Sequence, residues 1–178
     1  MIILQDTREQ RPFTFERFDD VMVQAEGLPV GDYSIPGFTD RVGIERKELN
    51  DLIGCFTSER ERFERELSKA RHFELFCIVV ESELSDLADG NYRSEMNPAS
   101  AIQSMVAFMV RYRVPFLFCK DRRGAEYMTY SLLTKYAREL EKRYQHMTKH
   151  CFSEAEAEKQ LIGLQGKMQG KKSNVKRA

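Results

Sequence analysis

Net charge is the first thing this chain lacks. Lys plus Arg and Asp plus Glu stand at 28 each among 178 residues, so the formal charge is zero. Bulk charge therefore does not draw the chain to a polyanion, and any surface for nucleic acid has to be local. The C-terminus carries one such surface, because Lys167, Lys171, Lys172, Lys176 and Arg177 fall in a stretch without an acid. Paired cysteines are missing too. Cys55, Cys77, Cys119 and Cys151 lie far apart with no CxxC, and three of them sit inside apolar runs, where a free thiol behaves as a small core residue. No signal-peptide pattern precedes Asp6 and no apolar run reaches membrane-spanning length. A soluble protein of a reducing, intracellular compartment is expected. Internal repeats and domain linkers are absent as well. The expected organisation is one domain over residues 1–150, large enough for a real core, and a basic, flexible tail over 151–178.

What is there concentrates in one stretch. Val30 to Ile35 reads as a strand that ends at the turn dipeptide Pro36-Gly37, and Val42 to Lys47 reads as its partner. An antiparallel pairing with Ile35 opposite Val42 and Tyr33 opposite Ile44 matches apolar to apolar, which is what fixes register. Asp32 then lies opposite Glu45. Period-two alternation puts Glu45 and Lys47 on one face and Arg46 on the other. Asp32, Glu45 and Lys47 are thus expected to converge.

Two carboxylates about 5 Å apart repel by roughly 3 kcal/mol at an effective dielectric of about 20. A shared proton, a cation or a route to water is needed, and Lys47 offsets only part of the repulsion. An all-oxygen pocket without paired His or Cys suits a hard cation, Mg²⁺ or Mn²⁺. Such a cation activates water and stabilises charge on phosphate, with an ammonium beside it to polarise the water. The other reading is a surface hairpin with an ordinary Glu45–Lys47 ion pair.

The rest of the chain reads as support. Met1 to Gln5 is a short buried strand that delivers Asp6, and Val21 to Ala25 is a second strand. Leu49 to Phe56 is expected to form a helix carrying Asp51. Ser58 to Glu61 has the form of a capping box opening a helix to Arg71, in which Phe63, Leu67 and Ala70 recur on one face. Phe73 to Val80 and Val114 to Cys119 have the composition of buried strands. Glu81 to Asn97 reads as a polar, mobile excursion. Asn97-Pro98 then starts a helix whose apolar stripe is Ile102, Met105, Val106 and Met109, widened by Ala101 and Phe108. A long helix follows from about 123 to 145. Strand–helix–strand–helix order implies a parallel pair with a right-handed crossover. His146 and His150, with Cys151 adjacent, lack a fourth zinc ligand at any standard spacing.

Gly31-Asp32, Glu45-Arg46-Lys47 and Asp51, together with Asp6-Thr7-Arg8-Glu9, resemble the DxRE element and GDx(n)ERKxxxD signature of XPF-type structure-specific nucleases. These form a branch of the PD-(D/E)XK superfamily, and the resemblance extends to about residue 145. It implies a restriction-endonuclease-like α/β fold, a central mixed sheet flanked by helices. It also implies a Mg²⁺- or Mn²⁺-dependent endonuclease for flapped, forked or otherwise branched DNA in repair or recombination. Asp6, Asp32, Glu45, Lys47 and Asp51 form the expected catalytic set. Asp32, Glu45 and the main-chain carbonyl of Arg46 are the expected metal ligands, with Asp6 as a further candidate. Arg46 either makes a supporting ion pair with the Arg8-Glu9 segment or contacts phosphate. The Ser58–Arg71 helix borders the active site in this family, so Arg60 or Arg62 is a candidate phosphate contact, as are Lys167, Lys171 and Lys172 in the tail.

Relatives also pair through the helices that match 97–113 and 123–145 here, which implies a homodimer. Gly163-Leu164-Gln165-Gly166 faintly resembles a DNA-clamping hairpin, but the tail is too short for a tandem helix-hairpin-helix module. Some family members are catalytically silent partners that have lost the carboxylates, which this chain retains. A PD-(D/E)XK nuclease without branched-substrate preference is the third reading.

Overall fold

The computed structural model describes residues 1–151. By internal contacts the chain divides into two units, Met1–Tyr136 and Ala137–Ala178. The first unit contains the sheet and the candidate site. Its strands are β1 (Ile2–Asp6), β2 (Met22–Glu26), β3 (Tyr33–Ser34), β4 (Val42–Lys47), β5 (Leu75–Val80) and β6 (Phe116–Phe118). Between them run helices α1 (Leu49–Phe56), α2 (Arg60–Ala70), α3 (Leu84–Asp89) and α4 (Pro98–Tyr112). The last helix, α5 (Arg122–Cys151), begins in the first unit and ends in the second. Among the described residues no helix is long and apolar enough to cross a membrane.

The six strands form one mixed sheet in the order β2-β1-β3-β4-β5-β6. β3 runs antiparallel to both β1 and β4, while β4, β5 and β6 are mutually parallel. Tyr33 pairs with Ile44, the register in which a buried ring meets a buried aliphatic. β3 is shorter than the Val30–Ile35 run suggests, and the reason is local. Gly31 turns at φ +83°, and a Cβ there would stand 3.2 Å from the Ile44 carbonyl oxygen and from the Phe76 ring. Only glycine tolerates that combination. The ladder therefore starts one residue beyond Asp32, whose side chain is released for other bonds.

β5 is buried on both faces, as a central parallel strand should be. Phe76, Ile78 and Val80 join the main core with Leu52, Ile53 and Phe56 of α1, Phe63 and Leu67 of α2, and Phe108 of α4. Edge-to-face contacts at 5.8 Å link Phe108 to both Phe56 and Phe63. A second cluster forms where the loop after β1 folds back. There Phe13 stacks on Tyr33 at 5.1 Å and Phe15 meets the same ring edge-on at 5.7 Å. Ala125, Thr129 and Leu133 of α5, one turn apart in sequence, are fully buried.

Three local expectations are corrected. The capping box at Ser58 does not form: the N-cap of α2 is Glu59, with no side-chain capping bond. Backbone bonds from Glu59 to Gly54 and from Arg60 to Thr57 hold that corner instead. The polar segment after Glu81 contains a helix, α3, with a capping box between Glu83 and Asp86 and Gly90 as its left-handed C-cap. Leu87 is fully buried and anchors it. The buried stripe of α4 is Ala101, Met105, Phe108 and Tyr112. Val106 and Met109 turn outward with Val110, which is 76% exposed. Asn97 caps this helix by accepting from Ala99 and Ser100 at 3.0 and 3.3 Å, with Pro98 behind it.

In the second unit the described residues are the C-terminal part of α5, where His146 and His150 lie 4.3 Å apart between ring centroids. The phase of α4 is testable. Phe108→Ala should lower unfolding free energy by about 3–5 kcal/mol, and Gln103→Ala, at an exposed position of the same helix, should stay within about 0.5 kcal/mol, both read from urea melts.

Candidate active site

β4 supplies two faces of chemistry from three consecutive residues. Glu45 and Lys47 point one way and Arg46 the other, as the pleat requires. On the first face, Asp32, Glu45 and Lys47 line a cleft of about 270 Å³, with Asp6 and Arg8 on one side and α2 on the other. The Lys47 ammonium pairs with Glu45 Oε1. Asp32 Oδ2 accepts the Arg46 backbone N–H at 2.8 Å, so this carboxylate takes a place that a strand carbonyl would otherwise fill. The Asp32 N–H in turn donates to the Ile44 carbonyl at 2.8 Å, and its carbonyl accepts from Asp6 N–H at 2.8 Å.

Burial, then the charge of Glu45, push the Asp32 carboxyl well above the usual carboxylate range, and Lys47 and the Arg46 N–H offset only part of this. Burial acts the opposite way on Lys47, but Glu45 and Asp32 outweigh it and hold the ammonium protonated above its ordinary value. Glu66 of α2 is also raised, by burial and then by Glu45. Asp32, Glu45 and Glu66 thus share a cleft in which Lys47 offsets only part of their mutual repulsion. Among the described residues no group of three or more His, Cys, Asp or Glu side chains is arranged to hold a metal ion. A cation here would rest on the two carboxylates Asp32 and Glu45, with main-chain oxygen and water completing an all-oxygen shell. That donor set fits Mg²⁺ or Mn²⁺.

Asp6 has a different position in the network. Its Oδ1 accepts from Arg8 N–H at 2.7 Å and Nε at 2.8 Å, and its Oδ2 from Arg8 Nη2 at 2.7 Å and Leu28 N–H at 2.8 Å. Burial would raise this carboxyl, but the Arg8 and Leu28 bonds hold it below its ordinary value. Four bonds fill the carboxylate, so Asp6 anchors Arg8, which also donates to the Leu28 carbonyl at 2.6 Å.

The Arg46 guanidinium is 6% exposed and sits among Glu81 at 3.0 Å, Glu9 at 3.4 Å and Glu48 at 3.7 Å, and Glu9 also lines the cleft. Burial opposes its charge, yet Glu81 and Glu9 raise its pKa. Glu81 also holds Arg122 at 2.9 Å, and Arg122 donates to the Arg11 and Pro12 carbonyls at 2.7 and 2.6 Å. Arg46 is therefore an ion-paired post that ties β4 to the loop carrying Glu9.

Asp51 is exposed on α1 and borders an adjoining cleft with Lys47 and Arg62. Arg62 of α2 reaches the candidate site and pairs with Glu59. Arg60 does not reach it. Its guanidinium lies 4.7 Å above the Phe108 ring and pairs with Glu64 at 3.2 Å, between α2 and α4. Lys167, Lys171 and Lys172, with the Gly163–Gly166 element, lie outside the described residues. Sequence reasoning missed Glu66 and Lys69, which line the cleft with Arg62. Their spacing of four and seven residues from Arg62 was the available signal, since those positions share a helix face.

A six-stranded mixed sheet flanked by helices is the XPF nuclease-domain fold. Residues 5–132 match the family model of the ERCC4 domain, and the chain belongs to the ERCC4 domain family. Among solved structures it is similar to XPF from Aeropyrum pernix, at 23% identity and a TM-score of 0.62 over 84% of this chain and 71% of that one. It is also similar to XPF from Aeropyrum pernix in complex with DNA, at 23% identity and a TM-score of 0.58 over 78% of this chain and 66% of that one. Among curated proteins none matches the chain.

The raised Asp32 pKa has a sign in stability. The folded chain holds this proton more tightly than the unfolded chain, so stability falls as pH climbs from about 3.9 through the folded value. Asp32→Asn removes that loss while its amide oxygen still accepts from Arg46. In chelator at pH 7 the variant should melt above the wild type, each kcal/mol appearing as about 2–4 °C. The margin should vanish towards pH 4. A variant that melts lower at every pH would show that packing, not charge burial, governs this position.

Proposed function

We propose that this chain is a metal-dependent DNA endonuclease that hydrolyses phosphodiester bonds in flapped, forked or otherwise branched DNA. One observation carries the reading: Asp32, Glu45 and Lys47 meet in a single cleft in which Lys47 only partly offsets the two carboxylates. Asp32 and Glu45 would hold Mg²⁺ or Mn²⁺, with the Arg46 carbonyl as a main-chain ligand. The ion, when bound, supplies an activated water and a counter-charge for phosphate. Lys47 lies beside Glu45, where its ammonium orients the attacking water and stabilises the negative charge that develops on phosphate. Glu45 keeps that ammonium in place, and Asp32 is held by the Arg46 N–H. Arg62 stands at the edge of the cleft for a neighbouring phosphate, and basic residues of the tail extend the contact. The solved relative in complex with DNA supports nucleic acid as the ligand.

We also propose a homodimer, with a second copy covering the outward face of α4. Val106, Met109 and Val110 make an exposed apolar strip there, and Met and aliphatic surface of this kind is what interfaces bury. A two-fold pair would give DNA a second, equivalent site.

Labelled flap, fork, single-stranded and duplex DNA, incubated with Mg²⁺ and with chelator, test the activity. Wild type should cut branched substrates faster than duplex and lose cleavage on chelation. Asp32→Asn and Glu45→Gln should abolish cleavage yet bind DNA as well as wild type or better, because each removes a charge that repels phosphate. Lys47→Ala should slow single-turnover cleavage by about 10²-fold or more. Binding without cleavage by wild type would point instead to a silent DNA-binding subunit. For the dimer, sedimentation equilibrium at micromolar concentration should return twice the chain mass, and Val110→Asp should return the monomer.

A further inference from the structure

The α2 wall of the cleft carries a polar stripe of which the proposed function uses Arg62 alone. Arg62, Glu66 and Lys69 all line the cleft, while Phe63, Leu67 and Ala70, the opposite stripe of the same helix, are at most 2% exposed. The helix is thus fixed by its buried side and presents its polar side to the site. Seven residues along a helix rise about 10.5 Å, far enough apart for the cations at its two ends to meet separate phosphates. The cations of the cleft differ in how far they are already engaged. Arg8 is tied to Asp6, Lys47 to Glu45 and Arg62 to Glu59. Lys69 is exposed and makes no ion pair among the described residues, with Glu66 as the acid whose charge it influences.

We infer that Lys69 is a backbone-phosphate contact, forming with Arg62 a rail along α2 that seats the strand being cut beside Asp32 and Glu45. Glu66 lies between the two cations and separates them, so that each takes its own phosphate instead of sharing one. Its negative charge also weakens the rail, which limits how tightly the product strand is retained. The inference rests on the nuclease reading for the identity of the anion, but binding and cleavage test the two separately.

Fluorescence anisotropy with a labelled flap duplex in chelator, where no strand is cut, repeated across salt concentrations, reads the rail. Lys69→Ala should weaken binding about 3- to 10-fold and reduce the salt slope by about 0.9, as for one lost phosphate contact. Glu66→Gln should tighten binding, the opposite sign. Arg41→Ala, at the far end of β4 and paired with Glu74, should leave both unchanged. The single-turnover rate of Lys69→Ala at saturating enzyme should stay within about twofold of wild type, and its melting temperature should be unaltered. An unchanged slope and affinity for Lys69→Ala would overturn the rail, as would a slower saturated rate with unchanged binding. A wild type that binds DNA but cuts none would remove the nuclease reading while the slope still decides Lys69. A wild type that binds no DNA would remove both.

Discussion

One hydrogen bond does more than any other to define this protein: the Arg46 backbone N–H donating to the Asp32 carboxylate. It forms because Gly31 bends the chain out of the ladder and leaves a strand donor without a carbonyl opposite it. A buried N–H must find a partner, and the nearest acceptor is a carboxylate brought in by the Tyr33–Ile44 register. The bond orients Asp32 against Glu45. It also couples two requirements that would otherwise be independent, strand pairing and the placement of an acid. Substitution at Gly31 is therefore a change to the site as much as to the turn.

The same residue serves two networks. Arg46 gives its backbone to the cleft and its guanidinium to the glutamates around it. Those glutamates belong to the loop after β1, to the start of α1 and to the end of β5, so four chain segments converge on one buried cation. Removing a partner from such a cluster costs more than forming the cluster gains, because an unpaired buried charge remains. Asp6 plays the matching part at the cleft wall by saturating itself with Arg8 and Leu28. Ion-paired side chains at the edges and a partly compensated carboxyl at the floor make the cleft asymmetric.

α2 links this chemistry to the core. Its buried side is held by Phe63 and Leu67, and Lys47 lies 5.9 Å over the Phe63 ring, so the residue that anchors the helix also bounds the lysine. Arg60 and Arg62, two positions apart, end in different surroundings because 200° of helix separates them: one closes the α2–α4 contact, the other opens on the cleft.

Much of this was legible in the residues. Alternation on β4 placed Glu45 and Lys47 together and Arg46 apart, and apolar matching set the β3–β4 register, because a pleated strand has a period of two and a one-residue slip would expose its core. Asn97-Pro98 announced its helix for an equally local reason, a side-chain acceptor ahead of a residue that needs no N–H partner. The rest depended on neighbours distant in sequence. Whether Val106 or Phe108 faced inward turned on the Phe56 and Phe63 rings that α4 meets. Whether Ser58 capped α2 turned on the backbone bonds from Glu59 to Gly54 and from Arg60 to Thr57 that close the α1–α2 corner. Asp6 reads as one more acid in a cluster until Leu28, 22 residues away, is seen to complete its four bonds. Local periodicity determines which side chains share a face. Only the packed structure decides what that face meets, because burial and hydrogen-bond saturation are properties of contacts between segments.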